Sequence, residues 1–186
     1  MSGRRSKLLA TLLLAGALGL ALSLIDPAPA RAQAQAAKPD TLTETYGNWT
    51  VSCQTVTADG KSTRRCQLSQ ELKEKGGQGQ RVLGLIIASP EPTAELTVIT
   101  PLGIALSAGL TIEVGDAPLL KMAFSTCRPG GCFAAGPLTA KALTSLETAE
   151  EATARLGTLN GQPLLIKFPL PGLAQARKRL AELVKG

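Results

Sequence analysis

Four cysteines in two close pairs constrain this chain of 186 residues more than any other feature of its sequence. Cys53 and Cys66 form the first pair along the chain, and Cys127 and Cys132 form the second. An even number of cysteines that follows an export signal indicates disulfide bonds, because such bonds persist in oxidising compartments. The pattern therefore predicts an exported domain that is held by two disulfides.

The first 32 residues have the organisation of a secretory signal peptide. A basic start precedes an apolar run over residues 8–25, and Ala30-Arg31-Ala32 supplies the small residues that signal peptidase requires. The alternative is an uncleaved membrane anchor, because the run is about long enough to span a bilayer. We favour cleavage and a periplasmic location, with secretion or association with the outer membrane as further destinations of the exported chain.

The remaining chain is predicted to be a flexible Ala/Gln-rich tether over residues 33–40 and a single domain over residues 41–186. Short apolar or alternating runs punctuated by Gly and Pro are typical of β-strands. Beyond the alternating stretch that starts at Trp49, the predicted strands are Val82–Ala88, Glu95–Thr100, Ile104–Leu106, Leu110–Val114 and Leu119–Cys127. Short strands at regular spacing predict a mainly β fold, an antiparallel β-sandwich with small helical additions.

The last part of the chain predicts a hairpin and two helices. Asn160-Gly161 favours a two-residue turn between strands over Ala154–Leu159 and Leu164–Phe168. One helix is predicted over Leu138–Leu146 and another over Leu173–Val184, where apolar residues recur on one helical face.

The cysteine spacing fits two tight hairpins. A turn at Asp59-Gly60 places Cys53 opposite Cys66 at a non-hydrogen-bonded position, where Cα atoms lie roughly 4.5 Å apart and a disulfide can form. A turn at Pro129-Gly130 places the second pair opposite each other in the same kind of position. Both registers predict structural disulfides, Cys53–Cys66 and Cys127–Cys132.

Two chemical roles for the cysteines are less favoured. A thiol–disulfide enzyme favours Cys-x-x-Cys at the start of a helix, whereas the closer pair here has a predicted turn between its cysteines. A zinc site of four thiolates prefers two short ligand pairs, and the gap between Cys53 and Cys66 is long. A periplasmic enzyme that uses carboxylates or thiol–disulfide exchange is kept as the alternative function.

Histidine is absent from the whole chain. This absence removes Ser-His-Asp and Cys-His catalysis and every metal site that depends on histidine. A Ser-x-x-Lys motif is also missing. Glu147, Glu150 and Glu151 come closest to an acid/base set, and near a helix end they are expected to be a solvated face. We predict no catalytic residue, no cofactor and no metal site.

Positive charge follows the first predicted hairpin. The signal peptide carries +3 of the formal +6, so the exported chain is only mildly basic. Strict alternation puts Arg64 on the face of Cys66 and leaves five cations as candidates for contact with an anionic surface: Lys61, Arg65, Lys73, Lys75 and Arg81. The plainer interpretation is a solvated surface. Nucleic acid is not expected, because five aromatic residues and no recognised motif offer little to bind it.

Short motifs occur over residues 42–184 in an order that is similar to a known family. They are Tyr46-Gly47-Asn48-Trp49, Cys66-Gln67-Leu68-Ser69-Gln70, Pro101-Leu102-Gly103 with Leu106 and Gly109, Cys127 with Gly131-Cys132, and Leu170-Pro171-Gly172-Leu173. Together they resemble the invasion-associated locus B family, with Leu173 where an aromatic residue is more usual.

The resemblance implies an exported envelope protein of α-proteobacteria with a β-sandwich domain, in a family named for host-cell invasion. It supplies no catalytic residue and no settled ligand. We therefore expect a non-catalytic binding module whose partner is an envelope or host protein or an anionic surface component. No stable membrane span is expected after removal of the signal peptide.

The cleavage site makes a direct prediction about the exported chain. We expect signal peptidase to cut after Ala32, so that the exported protein starts at Gln33 and lacks the apolar run over residues 8–25. Intact-mass analysis of a periplasmic extract measures this start. A membrane-retained species that still carries residues 8–25 would contradict cleavage.

Overall fold

The computed structural model describes residues 40–76, 79–88 and 94–185. These residues belong to one compact unit that spans Lys38–Gly186. The predicted signal peptide (1–32) and all but the last residue of the predicted tether (33–40) lie outside the described residues. The described part is mostly antiparallel β-structure in two sheets with two helices, which confirms the predicted fold class.

The first sheet has seven strands in the order β1-β2-β3-β4-β5-β9-β8, and every neighbouring pair is antiparallel. Its strands are β1 Thr41–Tyr46, β2 Trp49–Ala58, β3 Lys61–Lys73, β4 Arg81–Ala88, β5 Ala94–Thr100, β8 Phe124–Arg128 and β9 Gly131–Leu138.

The second sheet has four strands in the order β11-β10-β6-β7, again all antiparallel. Its strands are β6 Leu110–Val114, β7 Ala117–Met122, β10 Glu151–Gly157 and β11 Pro163–Pro169. The core lies on the inner faces of the two sheets, where buried apolar residues of both form one continuous cluster.

Both cysteine hairpins have the predicted register. Asp59 and Gly60 have positive φ values of 52° and 73°, as a two-residue Asp-Gly turn requires, and Cys53 pairs with Cys66. Cys127 pairs with Cys132 in the second hairpin. Both pairs are joined by disulfides, with Cα atoms 4.0 Å apart in each.

Two elements cover the inner face of the first sheet. β7 packs on β9 where the side chain of Met122 lies over Gly136, and a Cβ at Gly136 would lie 2.8 Å from the Met122 Cγ. At the other end the helix α2, Leu173–Lys185, packs against β1, β2 and β3. It buries Leu173, Ala176 and Leu180 at the helical spacing that the sequence predicted.

The other helix, α1 Ala140–Thr148, follows β9 two residues later than predicted. The hydroxyl of Thr139 accepts a hydrogen bond from the Ala142 amide at 3.2 Å and so caps the first turn. Because this cap fixes the start of the helix, Leu138 stays in β9 and is buried there.

The segment before α2 meets the turn between β1 and β2 backbone to backbone. A Cβ at Gly172 would overlap the carbonyl oxygen of Tyr46, and a Cβ at Gly47 would lie 2.5 Å from the carbonyl oxygen of Pro171. The Asn48 amide donates to that same Pro171 oxygen at 3.2 Å. Gln70, which is 5% exposed, donates from its Nε2 to the Asn48 and Pro169 carbonyl oxygens. Only glycine permits this approach of two chain segments.

Three local predictions are wrong. The strand predicted over Leu119–Cys127 is two strands, β7 and β8, which belong to different sheets because the chain crosses between them at Ala123. The strand predicted over Ile104–Leu106 is a single bridge from Ile104 to Thr158 followed by a short 3-10 helix, Leu106–Ala108. Positive φ at the flanking glycines, Gly103 and Gly109, prevents a regular strand there.

The third wrong prediction is the two-residue turn at Asn160-Gly161, although the hairpin itself is confirmed. Gly157 pairs with Pro163, so five residues connect β10 to β11. The hydroxyl of Thr158 forms hydrogen bonds with the Asn160 side chain and the Gln162 carbonyl oxygen. The backbone amide of Gln162 donates to the Asn160 Oδ1. These side-chain bonds stabilise the wider connection.

The strand β1 was absent from the sequence predictions. Its inward positions include Glu44, which pairs across the sheet with the buried Val51, so the strand lacks the apolar alternation that marks a half-buried strand. The carboxylate is accepted in that position because Arg179 of α2 binds it.

The Gly172 contact predicts an unequal cost of two glycine substitutions. Gly172→Ala should destabilise the domain by about 3 kcal/mol or more, since its Cβ meets backbone that cannot move aside. Gly161→Ala is the matched control: its φ of 80° is also positive, but nothing lies near its Cβ, so roughly 1 kcal/mol of backbone strain is expected. Urea unfolding of both variants measures the difference, and equal costs would contradict the packing role of Gly172.

Candidate functional site

The five predicted surface cations are divided into two groups by the length of β3. Lys61 and Arg65 lie on the strand that leaves the first hairpin turn, and Lys73 lies at its other end. Because β3 has 13 residues, Lys61 and Lys73 lie about 40 Å apart along the strand. The structure therefore does not bring the five together on one surface.

The first group, Lys61 and Arg65, is exposed on the outer face of the hairpin, as alternation predicts. Neither side chain has an ion pair with another of the described residues. Arg65 lines a groove of about 710 Å³ beside the first disulfide, together with Gln54, Gln67 and Val184. The group is available to an anionic partner.

Arg81 is partly exposed, and a hydrogen bond to the second hairpin turn holds its side chain. A β-bulge between Leu72 and Lys73 shifts the register so that Lys73 pairs with Arg81. The Arg81 guanidinium then donates to the carbonyl oxygen of Gly130 in the turn of the second disulfide. A Cβ at Gly84 would lie 3.2 Å from the Arg81 Cδ, so this side chain lies across the sheet. The sequence does not show this role, because Arg81 and Gly130 are 49 residues apart along the chain.

The second group is Lys73 and Lys75, which are both exposed. They line a second groove of about 670 Å³, which has the edge strand β11 on one side. The lining is largely apolar and includes Leu72, Val82, Leu164, Leu165 and Ile166. Its three charged lining residues are all lysines, Lys73, Lys75 and Lys167, and no carboxylate lines it among the described residues. An apolar groove with a cationic rim is suited to a partner that is both apolar and anionic.

The three lysines beside this groove differ in how far a carboxylate neutralises them. The Lys73 Nζ lies 3.9 Å from the Glu71 carboxylate, and both side chains are about half exposed or more. Lys167 binds Glu151 at 2.7 Å, and this hydrogen bond raises the pKa of Lys167. Lys75 has no ion pair with any of the described residues.

The sequence predictions missed the β11 side of this groove. A strand is predicted over Leu164–Phe168, and the structure has β11 over Pro163–Pro169, but the sequence analysis does not identify the exposed leucines of this strand as surface residues. Leu164 and Leu165 are adjacent and both exposed, at 37% and 49%. The available signal is the pair of prolines that bound the strand, because proline in a sheet is confined to edge strands, to the first residue of a strand or to bulges.

The acidic residues considered for catalysis do not converge. Glu147 forms an ion pair with Arg177, and Glu151 forms one with Lys167. Glu150 is exposed. All four cysteines are in disulfides. Within the described residues, no three acidic or cysteine side chains are grouped so that they could hold a metal ion.

Among the described residues, an ion pair with a large effect on a pKa joins α2 to β1. The Arg179 guanidinium donates to both carboxylate oxygens of Glu44, at 2.7 and 2.9 Å, and the Tyr46 hydroxyl donates to the same carboxylate at 2.8 Å. The hydrogen bond from Arg179 and then that from Tyr46 lower the pKa of Glu44 from 4.5 to about 2. In turn, the carboxylate raises the pKa of Tyr46.

No helix in the described part of the chain combines the length and apolar character that a membrane crossing needs.

Comparison with known proteins places these features in a family context. The family model described as invasion associated locus B (IalB) protein matches residues 49–181. Two proteins from Brucella abortus strains, each named an invasion protein B homolog, are 33% identical over 156 residues, which covers 78% of this chain and 82% of each relative. The crystal structure of invasion associated protein b from Bartonella henselae matches with a TM-score of 0.68 and 22% identity, over 77% of this chain and 97% of that one. The last comparison concerns the fold.

The Glu44 pKa predicts an acid-dependent contribution to stability. Because the pKa is lowered in the folded state, the stabilisation is present above pH 4.5 and is lost as the pH falls toward about 2. Glu44→Gln should therefore be less stable than the wild type at neutral pH, and the gap should close over this range.

Urea unfolding at a series of pH values measures the gap. Glu95→Gln serves as the control, since Glu95 is exposed and has no ion pair with any of the described residues. A gap between Glu44→Gln and the wild type that stays constant down to pH 2 would refute the role of the carboxylate.

Proposed function

Because the chain belongs to the invasion-associated locus B family, we propose that it is an exported, non-catalytic protein of the bacterial envelope that binds an anionic envelope component by charge. The Brucella abortus relatives carry the name of invasion protein B homologs. We extend an association with invasion to this chain as part of the proposal.

The observation that supports binding by charge is that three exposed cations have no carboxylate partner within the described part of the chain. Lys61, Arg65 and Lys75 are exposed and have no ion pair with any of the described residues. A surface cation that is not neutralised by its own chain attracts an anionic partner. At moderate ionic strength, salt screens this attraction at distances beyond about 10 Å. The proposed contact is therefore weak, electrostatic and sensitive to salt.

Export supports the same proposal from the N-terminal sequence. A basic start, an apolar run and an Ala-x-Ala site favour delivery beyond the inner membrane, where the outer envelope surface carries anionic groups that mild positive charge can meet. Two disulfides suit that oxidising environment.

The charge proposal predicts a salt-dependent association with isolated envelopes. The wild-type chain should sediment with envelopes at low salt and dissociate as salt is raised. Lys61→Ser/Arg65→Ser and Lys73→Ser/Lys75→Ser each remove one of the two groups, and at least one of these variants should lower the bound fraction and flatten its salt dependence.

The matched control removes two charges elsewhere. Lys141 and Lys178 are exposed residues of α1 and α2, and Lys141→Ser/Lys178→Ser changes the net charge by the same amount. This variant should bind like the wild type. If wild-type association is insensitive to salt and all three variants match it, the cations are solvated surface and the proposal fails.

A further inference from the structure

Apolar side chains are exposed unevenly over the described surface. Among the described residues, the exposed large apolar side chains are Val56, Leu102, Leu106, Leu159, Leu164, Leu165 and Val184. Five of these seven are leucines in two short segments, 102–106 and 159–165. Leu159 is 80% exposed and Leu102 is 57% exposed. Single exposed leucines are common on protein surfaces, but a cluster in so little sequence marks an interaction site.

The two segments touch each other. Ile104 forms a β-bridge with Thr158, and the Ala105 amide donates to the Gly157 carbonyl oxygen at 2.9 Å. The connection between β10 and β11 and the loop around the 3-10 helix are therefore held together at one end of the domain. We call this end, with Leu102, Leu106, Leu159, Leu164 and Leu165, the leucine end.

Cations border the leucine end. Leu164 and Leu165 line the same groove as Lys73, Lys75 and Lys167, and Pro101, the residue before Leu102, lines it as well. The apolar surface and the cationic rim therefore belong to one continuous region. This arrangement is complementary to a lipid bilayer, whose surface can be anionic and whose interior is apolar.

We propose that the leucine end docks on the surface of a lipid bilayer that contains anionic phospholipid. The leucines enter the boundary between head groups and acyl chains, while Lys73 and Lys75 contact the anionic head groups. This inference rests on the proposed function and names the anionic component and the surface that meets it.

The position of the leucines favours a bilayer over a protein partner. Leu102, Leu106 and Leu159 lie in loop segments outside the regular strands, and each projects its side chain into solvent. A protein partner would need a separate pocket for each of them, whereas fluid acyl chains accept apolar side chains without a matching shape. The lysines add an attraction that acts within a Debye length of the anionic surface.

The test is sedimentation with vesicles of equal parts phosphatidylglycerol and phosphatidylcholine, compared with pure phosphatidylcholine. The chain is used as purified from periplasmic extract, and binding is expected only to the anionic vesicles. Leu102→Ser/Leu159→Ser should weaken it by about tenfold or more, since two exposed leucines lose their burial in the acyl region. Lys73→Ser/Lys75→Ser should weaken it by about fivefold for each lysine.

Two matched controls remove side chains outside the leucine end. Val56 of β2 is 43% exposed and lies near the first hairpin turn, so Val56→Ser removes an exposed apolar side chain away from the leucine end. Lys141→Ser/Lys178→Ser removes two exposed cations of α1 and α2 that belong to neither group of candidate cations. Both variants should bind the anionic vesicles like the wild type. Urea unfolding midpoints equal to the wild type show that the leucine variant is folded, as expected for side chains with so little burial.

A second readout reports insertion directly. The single tryptophan, Trp49, is 1% exposed and gives a constant background, so Leu159→Trp places a reporter at the leucine end. Vesicles made with bromine-labelled acyl chains should quench this reporter on binding, and Val56→Trp should show no quenching. Quenching of Leu159→Trp alone supports insertion of the leucine end.

Three results would overturn the inference. They are absence of binding to the anionic vesicles, equal loss of binding with the leucine variant and the Val56→Ser control, and vesicle binding without quenching of Leu159→Trp. A dimer that Leu102→Ser/Leu159→Ser abolishes, in a chain that does not bind vesicles, would assign the leucine end to a second copy instead. If vesicle binding fails while envelope association remains salt-dependent, only this inference falls and the charge proposal stands.

Discussion

The approach of two backbone segments at Gly47 and Gly172 determines how the chain closes. The first turn of the sheet and the segment before the last helix occupy space that a Cβ on either glycine would fill. The amide of Asn48, in this turn, donates to the Pro171 carbonyl oxygen. Gln70 of β3 donates from its side chain to the carbonyl oxygens of Asn48 and Pro169 and so links both segments. These contacts place α2 against β1, β2 and β3. The sandwich is therefore completed by a helix at one end.

The ion pair between Glu44 and Arg179 explains why a polar edge strand can belong to this sheet. β1 offers little apolar surface of its own, and an inward carboxylate would be costly if it had no partner. Arg179 of α2 and the Tyr46 hydroxyl satisfy it, so the helix and the strand stabilise each other's positions. An edge strand with an inward charge also resists pairing with another chain. The pair thus supports both the fold and the integrity of the sheet edge.

Sequence reasoning succeeded where local chemistry decides the structure. Asp59-Gly60 prefers a two-residue turn, so the register that opposes Cys53 to Cys66 follows from counting along the strands. It failed where distant contacts decide. β1 depends on an arginine 135 residues later in the chain, and the split of the predicted strand at Ala123 depends on which sheet each half joins. The sequence also gives no sign that the Arg81 guanidinium donates to the Gly130 carbonyl oxygen, because the two residues lie 49 residues apart and meet only in the folded sheet.

The motifs that carry the family resemblance have two different places in the structure. The glycines of Tyr46-Gly47-Asn48-Trp49 and Leu170-Pro171-Gly172-Leu173 meet in a packing contact, and Leu173 is 1% exposed in the core. These residues are explained by the need to close the fold. Leu102 and Leu106 of the middle motif are 57% and 48% exposed, so no packing requirement of the described domain explains them. Large apolar side chains that a domain leaves in solvent, close to a lysine, Lys75, that has no ion pair with any of the described residues, are the side chains that the proposed contact with an anionic bilayer would use.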